Sequence, residues 1–201
     1  DGIALHSGNL PGYPASHGCV RLPDGFSKRL FAETELGMTV IVSNDKTAGP
    51  EKLVNPDVFA QSINRDGTVR DVPPLSIYED YRWEPLKSLF GPVTVLISTK
   101  NQLVIVLRNG IEIGRSKVGI VGKEPFGSQA YVVLDGVSKE PSRIVPGQNE
   151  LNWMQVNVPN GGTQIQTGLD TKAMQRIVVP VDFAKLVYTE LKTGSTMLLT
   201  D

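Results

Sequence analysis

The chain carries the same half-domain twice, and any fold proposed for it has to serve both copies. "LPDGFSKRLFAETELGMTVIVSN" (22–44) aligns without gaps on "VPVDFAKLVYTELKTGSTMLLTD" (179–201). Pro23, Phe26, Lys28, Glu33, Gly37 and Thr39 match Pro180, Phe183, Lys185, Glu190, Gly194 and Thr196, and most other apolar positions stay apolar. Upstream, "GIALHSG" (2–8) aligns on "GTQIQTG" (162–168) once the loop between is shortened by three residues. Self-similarity of this kind marks one supersecondary unit used twice.

Local patterns give that unit its elements. "GIALHS" alternates Ile3 and Leu5 with Ala4 and His6, the period of a half-buried strand. "GNLPGYPASHG" is loop chemistry, rich in Gly, Pro and Asn. Asp24 after Pro23 predicts the N-cap of a helix on which Phe26, Leu30 and Phe31 share a face, with Gly37 as its C-terminal cap. "MTVIVSN" reads as a short strand. Residues 45–91 are polar and rich in Pro and Gly and read as a linker, with one short helix around Pro56–Ile63. From Val93 the chain is β, and Asn109-Gly110 between two β-rich runs predicts a two-residue hairpin. The fold class is mainly β with short helices.

Charge and length exclude several functions. A formal net charge of −1 lacks the concentrated Lys/Arg face of a nucleic-acid binder. No apolar run approaches the 18 residues a membrane helix needs. Trp83 and Trp153 read as core or interface side chains before sugar-stacking ones, and Lys28 and Glu33 as exposed helix residues.

The two copies differ in their chemistry. Both histidines of the chain and its one cysteine lie between His6 and Cys19. In the second copy His6 aligns with Gln166, and Ser16, His17, Gly18 and Cys19 align with Ala173, Met174, Gln175 and Arg176. Residues needed only to pack the fold should have counterparts there, and these have none. A thiol becomes nucleophilic when an imidazole takes its proton. Backbone N–H groups around Gly18 and Cys19 could stabilise a tetrahedral oxyanion, so the parts suffice for acyl transfer. A zinc site of His6, His17 and Cys19 is the weaker reading, because the three offer no full ligand set at a known finger spacing. No metal or organic cofactor is expected.

"HSGNLPGYPASHGCVRL" resembles the signature of the L,D-transpeptidase catalytic domain: a His, a loop, then Ser-His-Gly-Cys-apolar-Arg. The resemblance implies a β-sandwich-like fold with Cys19 as nucleophile and His6 as base, oriented through the backbone carbonyl of Ser7. His17, Ser16 and Gly18 would shape the pocket and oxyanion hole, and Arg21 would support the loop or meet a substrate carboxylate. It also implies peptidoglycan stem peptides as partners and a bacterial periplasm or cell envelope as location. The reaction would be cross-linking through a cysteine acyl-enzyme on a tetrapeptide stem, or L,D-carboxypeptidase activity if water accepts the acyl group. The match covers residues 1–44, the C-terminal half of such a domain, so the first copy is read as truncated. Residues 92–201 resemble a whole domain of the same kind without its catalytic residues, with "EPFG" where the family often has Thr-Pro-x-Gly. Two alternatives follow: strands of 92–135 complete the first half-domain by swapping, or the chain is a non-catalytic cell-wall binding or scaffolding module.

Overall fold

A computed structural model describes residues 3–13, 15–40, 50–54, 58–59, 62–63, 66–69, 72–157 and 174–201. They divide into two compact units, residues 1–36 and 37–201. The expected strand of residues 38–44 is described only as far as residue 40, which is not in a strand, and Gln166 and the 162–168 segment lie outside the described residues. The same holds for most of the helix expected around Pro56–Ile63.

In the first unit, β1 (Leu5–Ser7) and β2 (Val20–Leu22) pair in parallel, with His6 opposite Arg21, and α1 (Asp24–Glu33) lies against β1. Pro23, not Asp24, sits at the helix N-cap position. Proline fixes φ near the value a helix entry needs, so Asp24 falls inside the first turn, where its carboxylate pairs with Lys28 at 2.8 Å. The helix ends at Glu33, and extended Thr34 takes the cap position assigned to Gly37.

The second unit is one eight-stranded mixed sheet with the order β3-β10-β9-β12-β5-β6-β7-β4. Its strands are β3 (Pro50–Val54), β4 (Tyr81–Trp83), β5 (Val93–Ser98), β6 (Leu103–Arg108), β7 (Ile111–Lys117), β9 (Gln129–Pro141), β10 (Asn149–Asn157) and β12 (Thr196–Thr200). A separate antiparallel pair joins β8 (Gly119–Ile120) to β11 (Ile177–Val178). The β6–β7 connection is the hairpin the sequence predicts, with Asn109 at φ 52° and Gly110 at φ 72°.

The stretches Pro50–Val54 and Tyr81–Trp83, read as linker, are the two edge strands of this sheet. Pro50 and the charged Glu51 and Lys52 in the first are what an edge strand tolerates and a central one does not. β5 and β9 pair with β12 of their own unit, Thr196 opposite both Thr94 and Val132.

Helix α2 (Val181–Glu190) buries Phe183, Ala184, Val187 and Tyr188. Phe183 is wholly buried and meets Trp83 edge-on at 5.8 Å between ring centroids and Tyr81 at 5.5 Å. Val95, Ile97, Met197 and Leu199 alternate inward from β5 and β12, and Trp153 is buried in the same core. Trp153 is thus a core residue, and half-buried Trp83 packs against the core. Arg108, almost fully buried, donates to the Ser88 carbonyl at 2.7 Å and forms an ion pair with Glu190.

Candidate active site

The site belongs to the first unit and is built by its parallel strand pair. Cys19 stands one residue ahead of β2, where the Val20 N–H donates to the Ala4 carbonyl at 2.8 Å and fixes the strand start. His6 and Arg21 are register partners, so their side chains leave the same face of the ribbon, and the alternation carried back one step puts Cys19 on that face too. From strand spacing and rise, the His6 and Cys19 backbones stand about 8 Å apart.

The His6 ring is oriented by its own strand. Its Nδ1 lies 2.8 Å from the Ser7 carbonyl oxygen. A carbonyl only accepts, so Nδ1 carries a proton, and in the neutral ring the lone pair then lies on Nε2, the tautomer a base requires. The contact comes from Ser7 through its backbone carbonyl.

Arg21 ties the loop between the strands into shape. Its guanidinium donates to the carbonyls of Ala15 at 2.8 Å and Asn9 at 3.3 Å, two points on opposite arms of the loop. Those bonds engage Arg21 as a loop support. The lined groove that results, about 480 Å³, includes Ser16, Gly18, Cys19 and Arg21 together with Leu10 and Tyr13.

Gly18 has φ +136°, in the region that side-chain-bearing residues rarely adopt, and a Cβ there would meet Ile3 at 3.4 Å. Among the described residues, neither the Gly18 nor the Cys19 N–H has an acceptor. Cys19 is half-buried, whereas Ser16 and His17 are exposed, and their side chains have no hydrogen-bond partner among the described residues. His17 does not line the groove with Cys19. Leu10 and Tyr13, not singled out by the sequence reading, are exposed apolar residues on the groove wall; their presence in a Gly/Pro loop otherwise free of large apolar residues was the available signal. No cluster of three or more His, Cys, Asp or Glu able to hold a metal occurs among the described residues.

Residues 1–42 match the family model YkuD, the L,D-transpeptidase catalytic domain. The match therefore takes in β1, the loop, β2 and α1, and ends before the second unit's sheet begins. Neither the comparison with curated proteins nor that with solved structures finds a match.

Proposed function

We propose that the chain is part of a cell-envelope L,D-transpeptidase that cross-links peptidoglycan through an acyl-enzyme on Cys19. The observation that carries the reading is the oriented His6 ring on the same ribbon face as Cys19, within the segment that matches the L,D-transpeptidase catalytic domain.

The chemistry follows from these groups. His6 Nε2 takes the proton of the Cys19 thiol, and Sγ attacks the carbonyl carbon at the L-centre of the stem's diamino acid. The oxyanion formed is met by the N–H groups of Gly18 and Cys19. As the C–N bond to terminal D-Ala breaks, the imidazolium returns its proton to the leaving nitrogen, leaving a thioester. An amine of a neighbouring stem then attacks that thioester, its surplus proton passing to His6, and the thiolate leaves as the amide forms. With water in place of the amine the same site is an L,D-carboxypeptidase. Arg21 holds the loop, and Ser16 lines the groove that admits substrate.

The reading predicts a single covalent adduct when the chain is treated with a carbapenem, a β-lactam whose strained carbonyl acylates a nucleophilic thiol. Intact mass spectrometry should find it on Cys19, absent in Cys19→Ala, and formed about 10²- to 10⁴-fold more slowly in His6→Ala. A folded chain that forms no adduct, or forms it at the same rate without His6, overturns the proposal.

A further inference from the structure

Arg176 holds, in the second copy, the sequence position that Cys19 holds in the first. The structure supports the alignment: each residue leads directly into a short strand, then a proline at a helix N-cap, then a ten-residue helix. In place of a nucleophile, a cation is built into the wall of a groove of about 400 Å³.

The construction around it is specific. Arg176 Nε donates to the Val121 carbonyl at 2.7 Å and Nη2 to the Glu124 carbonyl at 2.7 Å, with the Glu124 carboxylate 3.7 Å away. The guanidinium lies over the ring of Phe126, 4.0 Å from its centroid, and the side chain is only 14% exposed. Gly122 permits this closeness, since a Cβ there would stand 2.7 Å from Glu124 Oε2 and 3.3 Å from Arg176 Nε.

Charge bookkeeping within the groove leaves cations uncommitted. Its carboxylates, Asp201 and Glu124, are both engaged. Asp201 accepts from the Thr99 hydroxyl at 2.8 Å and from the N–H groups of Gly127 at 2.8 Å and Phe126 at 3.2 Å. Glu124 accepts from the Lys123 N–H at 3.2 Å. Lys100 and Lys123, both exposed and both lining the groove, have no partner for their ammonium groups among the described residues, nor has Arg176 Nη1.

We propose that this groove is a non-catalytic receptor for the carboxylates of a peptide, bound by Lys100 and Lys123 with Arg176 as the fixed floor. A planar guanidinium with two exposed ammonium groups lining the same groove suits a carboxylate, and no thiol lines it among the described residues. The identity of the peptide rests on the cell-wall reading above: it is the stem itself, which carries several free carboxylates. The second copy then holds a strand of substrate without turning it over.

The test titrates isotope-labelled full-length Cys19→Ala chain with a synthetic diaminopimelate-containing tetrapeptide stem and, separately, with the same peptide amidated at its carboxylates. The proposal expects NMR shift changes at the amides of 121–127 and at Arg176 Nε, and a Kd at least tenfold weaker for the amidated peptide. A Lys100→Ala/Lys123→Ala double variant, which leaves the Arg176 bonds intact, should lose affinity by a similar factor with an unchanged fold. Affinity unchanged by amidation or by the lysine variant, or shift changes confined to residues 10–21, overturns it. The carbapenem adduct, measured on the lysine variant with Cys19 present, separates the two readings. Adduct formation without lysine-dependent binding sinks the receptor alone, and lysine-dependent binding without an adduct sinks the transpeptidase alone.

Discussion

Helices α1 and α2 are two printings of one pattern with opposite fates. Phe26 and Phe183 occupy the same place in the repeat, yet Phe26 is 54% exposed while Phe183 is wholly buried against Tyr81 and Trp83. Phe31 is 85% exposed and its counterpart Tyr188 only 7%, with its hydroxyl donating to the Asn149 carbonyl at 2.6 Å. Glu33 is exposed, whereas Glu190 pairs with the buried Arg108. Amphipathic spacing states which face of a helix is to be covered; the cover itself comes from elsewhere in the chain. In 37–201 it comes from a sheet assembled out of residues 50 to 200, and among the described residues of 3–36 no side chain is buried.

The largest effect that would break the comparison is in these two phenylalanines. Phe183→Ala removes a ring from a packed core and is expected to cost about 3–5 kcal/mol. Phe26→Ala changes an exposed position and should stay within about 0.5 kcal/mol. Urea unfolding of both variants, followed by tryptophan fluorescence from Trp83 and Trp153, measures the difference. Equal losses would mean that α1 is covered as α2 is.

What the sequence shows of this molecule follows the range of the interactions involved. The Asn109-Gly110 hairpin is written in neighbouring residues and is found where the local pattern put it. The edge strands were missed because their signal is non-local. Arg82 and Trp83 are strand residues only because β7 lies beside them, and "YEDYRWEP" carries no alternation of its own. Asp24 was misplaced by one position because Pro23 competes for the same cap. At the site, the orientation of the His6 ring was expected from the family resemblance alone, not from any local pattern. The Ser7 carbonyl that sets the His6 tautomer is a backbone atom, and no side-chain pattern encodes where it points.

A smaller effect sharpens the comparison at the edge of the second sheet. Gly114 in β7 faces Trp83 so closely that a Cβ would stand 2.4 Å from its ring, whereas Gly25 in α1 has nothing within 4 Å. Gly114→Ala should therefore push Trp83 off β7 and destabilise the second unit by about 1–3 kcal/mol. Gly25→Ala should be neutral or stabilise by up to about 1 kcal/mol, because alanine loses less backbone entropy in a helix. Thermal unfolding of the two variants reads both signs. A harmless Gly114→Ala would mean that the Tyr81–Trp83 stretch does not pack as an edge strand and that the linker reading was right there.

The smallest effect concerns how the second copy closes its groove. Partial burial pushes the Asp201 carboxyl pKa up, but the Thr99 hydroxyl, the Gly127 and Phe126 N–H groups and the Arg176 charge together outweigh it and hold the pKa below the usual carboxylate value. A carboxyl whose folded pKa is depressed contributes stability above its unfolded pKa and loses it as pH falls through the folded one. Asp201→Asn should therefore be less stable than the parent at pH 7, by no more than about 1 kcal/mol at so exposed a position. The difference should shrink below about pH 4, where the parent's carboxyl takes up its proton. A difference that stays constant from pH 7 to pH 3 would assign the contribution of Asp201 to hydrogen-bond shape rather than to its charge.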